Sequence, residues 1–131
     1  MSVFKKPNWV MAIFLFFGTA FQVFVAQAGT YYVATNGSDT IGTGTDAAPW
    51  ATITHALDSV LDGSLILVAP GTYNGQVRLR GEFEAGVTVR SAVPYQARLR
   101  NSGTVVVCFY GVGITLEGFD VAHAGPGSGA L

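Results

Sequence analysis

The sequence of 131 residues contains few cysteines and few charges. Its one cysteine, Cys108, excludes an internal disulfide framework and a metal centre built from cysteines. Charged residues make up 11% of the chain, and the 7 basic and 8 acidic residues nearly cancel. This balance argues against a nucleic-acid partner that would need a strongly basic field. The hydrophobic content of 50% argues against a disordered, solvated chain.

Lysine is missing from the chain after residue 28. Residues 1–28 contain both lysines and six of the nine phenylalanines. Residues 29–131 contain 5 arginines against 8 acidic residues, which gives a net charge of −3. Two segments of different character are therefore predicted.

The first of these segments has the pattern of a secretory signal peptide. Lys5 and Lys6 form a basic start, an apolar run follows, and Ala-Gln-Ala at 26–28 matches the small-residue cleavage pattern. The alternative is an uncleaved membrane anchor, since the run approaches the roughly 17 residues that a spanning helix needs. Cleavage is favoured, so we expect removal of residues 1–28 and a secreted protein, extracellular or periplasmic, with no membrane contact. Without a disulfide, its fold must be held by packing or by metal.

Hydrophobic periodicity predicts one short helix among many short strands. Thr52 is a plausible N-cap, and apolar residues at i, i+3, i+4 and i+7 predict a helix over Thr52–Leu61. Strands are predicted at 30–35, 65–68, 77–80, 87–90, 98–100, 104–110 and 114–121. The segment 65–68 is apolar throughout and is expected to be covered on both faces. Residues 70–75 are predicted as a turn, and residues 36–49 as a long structured loop.

The connections between these strands have no helical character. Parallel strands normally need a long crossover, whereas a solenoid avoids it by stacking equivalent strands of successive coils. The strand starts recur irregularly at roughly the 20-residue scale of repeat architectures. A solenoid is therefore modestly favoured over a sandwich or a barrel.

Several segments, in order, carry a family resemblance across essentially the whole of residues 29–131. They are Tyr31–Asp39, Gly42–Thr45, Ala48–Ile53, Pro70–Tyr73 and Ile114–Val121. The sequence resembles the N-terminal region of secreted right-handed parallel β-helix proteins of the pectate-lyase-like superfamily. The resemblance implies an all-β solenoid domain, here incomplete: an N-terminal cap with one short α-helix, and the first coils only. Family members are several times longer, so a gene fragment or a truncated reading frame is expected.

The resemblance leaves the activity open, because one fold carries many functions. Relatives include lyases of acidic polysaccharides, hydrolases, epimerases and surface proteins. Lyase relatives keep their catalytic residues on central rungs, use Lys or Arg as the base, and often bind Ca²⁺. We therefore expect an acidic polysaccharide as partner, no catalytic residue in this chain and no cofactor of its own. The alternative is a non-catalytic carbohydrate-binding or cell-surface adhesin module.

The candidate binding residues are the five arginines that follow the leader: Arg78, Arg80, Arg90, Arg98 and Arg100. Strand alternation predicts that all five point outward. A guanidinium stripe would bind the carboxylates of an acidic glycan bidentately. The competing interpretation, which we favour, is a solvated surface in which Glu82 and Glu84 offset Arg80 and Arg90.

Carboxylates and histidines offer no predicted metal or catalytic site. Asp39 and Asp46 lie in the long loop but fit no calcium-loop spacing, and Asn36 and Asp39 are expected to make Asx turns instead. Glu117 and Asp120 are close in sequence, yet three positions apart on a strand they would face opposite sides. His55 lies off the apolar stripe of its helix and is expected to be exposed.

Two further expectations concern the C-terminal part. Cys108 is predicted to be an inward core thiol, because free cysteine is among the most buried residue types. The apolar run around it leaves the inward set of side chains undecided. The glycine-rich tail after residue 123 offers too little apolar surface to cap a coil, so the last coil provides a route for self-association.

Overall fold

The computed structural model describes residues 27–125, which form an all-β fold with one short helix. Residues 1–26 of the predicted signal peptide therefore lie outside the described residues. Residues 126–131 of the predicted glycine-rich tail lie outside them as well. In chain order the elements are β1 (Thr30–Val33), α1 (Ile53–Ser59), β2 (Leu65–Val68), β3 (Gly71–Asn74), β4 (Val77–Ser91), β5 (Ala97–Asn101), β6 (Val106–Glu117) and β7 (Asp120–His123). Between residues 27 and 125, no helix has the length and apolar character needed to cross a membrane.

The seven strands form two sheets in which every neighbouring pair is parallel. The larger sheet has the order β1-β2-β4-β6, and the smaller has the order β3-β5-β7. From β2 onward, successive strands alternate between the sheets. Each strand therefore pairs with the strand two elements earlier, and one strand of the other sheet lies between them along the chain. Paired residues there lie 22 to 30 positions apart, from Arg98 with Asp120 to Glu82 with Val112. This alternation replaces the long helical crossover that parallel strands otherwise need.

The long strands β4 and β6 change register twice, between Leu79 and Gly81 and again in their middle, between Glu82 and Val87. Gly113 lies at this point with φ +73, and a Cβ there would come within 1.9 Å of the Phe83 carbonyl oxygen, so only glycine fits. The irregularity divides β4 into an N-terminal half, 77–82, which pairs only with β6, and a C-terminal half, which lies between β2 and β6.

The hydrophobic core is built from the inward residues of both sheets. Its largest fully buried side chains are Val33, Ile66, Val68, Val87, Val89 and Leu99. Alternation is confirmed in β5, where Leu99 is buried and Arg98 is exposed. Leu65 and Leu67 are only half-buried, so the prediction that β2 is covered on both faces is wrong. The reason is that the outer side of Leu67 borders an open surface cleft.

The helix α1 confirms its predicted cap and apolar stripe but is shorter than predicted. Thr52 is the N-cap, and its hydroxyl accepts a hydrogen bond from the N–H of His55 at 3.2 Å. The stripe is buried at all four positions, Ile53, Ala56, Leu57 and Val60. The helix ends at Ser59 because Val60 already has extended backbone angles, φ −87 and ψ 158.

The segment 70–75, predicted as a turn, instead contains the strand β3. Gly71 and Gly75 both have positive φ, so the glycines do mark changes of direction. Between them, Tyr73 is buried and lies beside Leu99 in the parallel pairing of β3 with β5. The prediction was wrong because a four-residue strand between two glycine turns has the composition of a single turn.

The long loop and α1 cover two outer strand edges at one end of the sheets. On β1, the N–H of Tyr32 donates to the Gly44 carbonyl at 2.8 Å. Beside the N-terminal half of β4 lies α1, and the N–H of Arg78 donates there to the Thr54 hydroxyl at 3.1 Å. Backbone groups that would otherwise form open edges are therefore occupied.

Cys108 is exposed, so the prediction of an inward core thiol is wrong. Within the described residues β6 is the last strand of its sheet, and no further strand covers the side chains that follow Val107. The left-handed backbone of Tyr110, at φ +57, interrupts the alternation that the prediction assumed. Phe109 and Tyr110 are accordingly 60% and 82% exposed.

Candidate functional site

A groove of about 350 Å³ lies on the outer surface of the N-terminal halves of β4 and β6. It is lined by Gln76, Arg78, Arg80, Val107 and Phe109. In β4, Arg78 and Arg80 are exposed on either side of the half-buried Leu79. The parallel register places Val107 of β6 beside Arg78, and Phe109, two residues further, borders the same groove. The groove thus combines two guanidinium groups, one amide and one exposed aromatic ring.

Arg78 presents a cation that no carboxylate pairs with in the part of the chain from 27 to 125. Its Nε–H donates to the Oε1 atom of Gln76 at 3.2 Å. No described group engages the two terminal nitrogens, which remain able to donate. Two parallel N–H donors of one guanidinium are the arrangement that binds a carboxylate bidentately.

Arg80 is paired, in contrast, with Asp58 of α1. Its Nε–H donates to Oδ1 of Asp58 at 2.7 Å, and its Nη2 donates to Oδ2 of the same carboxylate. The hydrogen bonds and charge of Asp58 raise the pKa of Arg80. The prediction that glutamates would offset Arg80 is wrong, because packing of α1 beside β4 brings a nearer carboxylate.

The other three arginines do not line the groove. Arg90 pairs with Glu117, its direct neighbour in the parallel register, and not with a glutamate of its own strand. Arg100 is only partly exposed and donates to the carboxylate of Asp120 at 2.8 Å. Arg98 is exposed on β5, without a carboxylate partner between residues 27 and 125. The five arginines therefore lie on both sheets and do not form one stripe.

Sequence reasoning missed three residues of the groove, Gln76, Val107 and Phe109. Gln76 adjoins the segment that was predicted as a turn. Phe109 lies in a run that is apolar on both faces of its strand. Whether the Phe109 side chain points inward or outward therefore depends on which of the two alternating sets of side chains is buried. The observed burial decides this, since Val106 packs against the core and Phe109 is exposed. An exposed phenylalanine and an unpaired guanidinium that line one groove are the features that mark this surface.

The long loop is packed, and Asp39 joins it to the start of α1. The Oδ1 atom of Asp39 accepts hydrogen bonds from the N–H groups of Ala51 at 2.8 Å and Thr52 at 3.1 Å. Its Oδ2 atom accepts one from the Thr52 hydroxyl at 2.7 Å. The Asx turn predicted for Asp39 is therefore wrong, because its partners lie beyond the loop. Burial acts to raise the pKa of Asp39, but these hydrogen bonds outweigh it and the pKa is lowered.

Trp50 is the centre of the packing under the loop. Its ring stacks on Tyr31 at a centroid distance of 5.4 Å, and its Nε1–H donates to the Gly42 carbonyl at 3.1 Å. His55 packs edge-on against Trp50 at 5.5 Å and is half-buried, so the prediction of an exposed histidine is wrong. Among the described residues, no three or more His, Cys, Asp or Glu side chains lie close enough to hold a metal ion.

Comparison with protein families relates part of the chain to other proteins. A family model described as "Protein of unknown function (DUF1565)" matches residues 35–82, and this family is associated with parallel β-helix proteins. The matched segment includes Asp39, Trp50 and Arg78, but not Phe109. Comparison with curated proteins and with solved structures gives no match. The chain is thus similar over this segment to a family whose description assigns no activity.

Proposed function

We propose that this chain is an exported right-handed parallel β-helix module that binds acidic polysaccharide and does not cleave it. Four features support the β-helix: the parallel pairing throughout, the alternation of successive strands between sheets, the spacing of 22 to 30 positions, and the family match. The basic start, apolar run and Ala-Gln-Ala pattern of residues 1–28 support export.

The observation that carries the binding proposal is that one groove is lined by the unpaired guanidinium of Arg78 and by the exposed ring of Phe109. A uronic acid offers a carboxylate, which matches the two free terminal nitrogens of Arg78, each of which can donate an N–H. The apolar face of a sugar ring would bury area against the Phe109 ring, and the Gln76 amide would reach hydroxyl groups. A neutral polysaccharide would lack the first of these interactions.

We propose binding without cleavage because of the groups that line the groove. Proton transfer in glycan cleavage needs a base and an acid in reach of the reacting atoms. Neither a carboxylate nor a histidine lines the groove, so the carboxylate pair of a hydrolase is missing from it. Lyase relatives use an arginine as the base, but Arg80 is paired with Asp58, which raises its pKa and keeps it protonated. Arg78 would then have to supply both the base and the cation that stabilises the developing charge. The nearby Asp58 is held by Arg80.

The test is calorimetric titration of the secreted chain with polygalacturonate, alginate and chondroitin, with dextran as the neutral polymer. We expect binding to the acidic polymers alone, weakening as salt screens the charges. Arg78→Gln should lower affinity by about tenfold or more, because it removes one charge-assisted carboxylate contact. Phe109→Ala should also lower affinity.

The matched control is Arg98→Gln, which removes an equally unpaired, exposed guanidinium that lies outside the groove. This variant should bind like the unmodified chain. Equal losses from the two arginine variants would show that only net charge matters and would refute the groove. Absence of binding to all three acidic polymers would refute the proposed function, and release of unsaturated sugar products would refute the claim that the chain does not cleave.

A further inference from the structure

A cavity of about 200 Å³ lies between the start of α1 and the strand β3. One wall is formed by Thr35 and residues 51–54, and the other wall by residues 72–77. Both walls lie well inside the described residues and inside the segment 35–82 that matches the family model. The cavity is therefore distinct from the groove, which is formed by β4 and β6.

Uncharged polar side chains line this cavity. Three of them, Thr35, Thr72 and Asn74, are exposed, and their side chains form no hydrogen bond with any other residue of the described part. Each hydroxyl can donate one hydrogen bond and accept others, and the amide can donate two and accept two. This set of groups matches a ligand whose own hydroxyl or amide groups both donate and accept.

A negatively charged ligand is disfavoured in the cavity. None of the side chains that line it carries a charge, so a carboxylate would lose water without gaining a cation. Thr52, which lines the cavity, donates its hydroxyl to the carboxylate of Asp39 at 2.7 Å. A second carboxylate in the cavity would approach that negative charge and be repelled by it. The cavity therefore suits an uncharged ligand.

The cavity adjoins the groove, because Gln76 lines both. Arg78 is held at this junction by two hydrogen bonds. Its Nε–H donates to Oε1 of Gln76 at 3.2 Å, and its backbone N–H donates to the hydroxyl of Thr54, a residue of the cavity, at 3.1 Å. A polymer whose carboxylate is bound by Arg78 would thus bring a neighbouring sugar to the cavity.

We propose that the cavity binds an uncharged sugar of the same polysaccharide whose uronic acid is bound in the groove. This inference rests on the proposed function and names its substrate class, which is a polymer in which uronic acids alternate with uncharged sugars. The link to the bound uronic acid keeps the uncharged sugar at a high effective concentration beside the cavity, so a few neutral hydrogen bonds raise the affinity. A polymer of uncharged sugars lacks the carboxylate for Arg78, and a polymer of uronic acids brings a second carboxylate to the cavity.

The test is calorimetric titration of the purified chain with oligosaccharides that have the same number of carboxylates. Oligogalacturonate consists of uronic acids alone, whereas fragments of unsulfated chondroitin and of hyaluronate alternate a uronic acid with an uncharged sugar. We expect the alternating oligosaccharides to bind about tenfold more tightly. Asn74→Ala should lower the affinity for them by about fivefold and leave the affinity for oligogalacturonate unchanged. Thr72→Val should act in the same direction.

The matched control is Asn36→Ala. Asn36 is also exposed, its side chain forms no hydrogen bond with residues 27–125, and it lines neither the cavity nor the groove. This variant should bind every oligosaccharide like the unmodified chain. If circular dichroism shows that Asn74→Ala does not fold, Thr72→Val decides alone, because valine keeps the branched side chain that a strand favours.

Three results would overturn the inference, and they differ in what they leave standing. Equal affinity for the two kinds of oligosaccharide, still lowered by Arg78→Gln, would refute the cavity and leave the proposed function intact. A preference for the alternating oligosaccharides that Asn74→Ala and Thr72→Val leave unchanged would refute the cavity as its cause. Absence of binding to every acidic oligosaccharide would refute the proposed function, and this inference with it.

Discussion

Replacement of Asp39 by alanine tests whether the loop and α1 are held together as described. The carboxylate of Asp39 accepts three hydrogen bonds, two from Thr52 and one from Ala51. Asp39→Ala removes all three and leaves the N-terminal start of α1 without this acceptor. The loop that covers the edge of β1 would lose its connection to the helix.

The expected magnitude follows from the number and exposure of these bonds. A hydrogen bond to a charged group contributes about 1.5–3 kcal/mol when it is well formed. Asp39 is half-buried and Thr52 is exposed, so solvent screens the interaction, and we expect a loss of about 2 kcal/mol for the three together. For a chain of this length, that loss lowers the melting temperature by about 10 °C.

The assay is urea unfolding of the purified chain, followed by circular dichroism at several pH values. The pKa of Asp39 is lowered in the folded state relative to its ordinary value of 3.8. Its contribution is therefore fully present above pH 3.8 and is lost as the pH falls through the folded pKa. The difference between the unmodified chain and Asp39→Ala should shrink over that acidic range.

The matched control is Asp46→Ala, in the same loop. Asp46 is exposed, and its carboxylate accepts no hydrogen bond from residues 27–125, so we expect a change within about 0.5 kcal/mol. Equal losses from the two variants would refute the reasoning. A difference that persists unchanged at acidic pH would refute the role given to the ionised carboxylate.

Two further substitutions test the packing of the loop and the core by urea unfolding. Gly44→Ala should cost at least about 2 kcal/mol, because Gly44 has φ +76 and a Cβ would lie 2.6 Å from the Trp50 ring. Gly75→Ala should lower the free energy of unfolding by less, because Gly75 has φ +112 but a Cβ there would have no atom within 4 Å. An equal loss from the two variants would contradict the clash with Trp50. Tyr73→Phe should cost about 1 kcal/mol through loss of the hydroxyl bond at 2.8 Å to the Ala69 carbonyl. Burial raises the pKa of Tyr73 to about 12 from 10.0, so its stabilising contribution is complete below pH 10.0 and is lost as the pH rises through about 12. Ultraviolet titration in which every tyrosine ionises near pH 10 would contradict this.

Local features of the fold were predictable from the sequence because they depend on residues that are close along the chain. The cap at Thr52, the buried stripe of α1 and the bounds of β2 needed only a window of a few residues. Alternation likewise predicted that Arg78 and Arg98 are exposed. Of the candidate site, the sequence therefore predicted the exposed arginine Arg78. It did not predict that Gln76 and Phe109 line the same groove.

Contacts between residues that are 12 to 30 positions apart in the sequence are visible only in the tertiary structure. The register of the strands and the packing of α1 determine these contacts. The pairing of Arg80 with Asp58, 22 positions away, leaves Arg78 as the unpaired cation of the groove. The register that sets Val107 beside Arg78 also brings Phe109 to the same surface. The sequence by itself determined most of the strand segments, though not β3, and the outward direction of Arg78, Arg80, Arg90 and Arg98, since backbone preference and alternation are local. Only the tertiary structure decided which charges are neutralised and which apolar side chains remain exposed, since both depend on the neighbour that packing supplies.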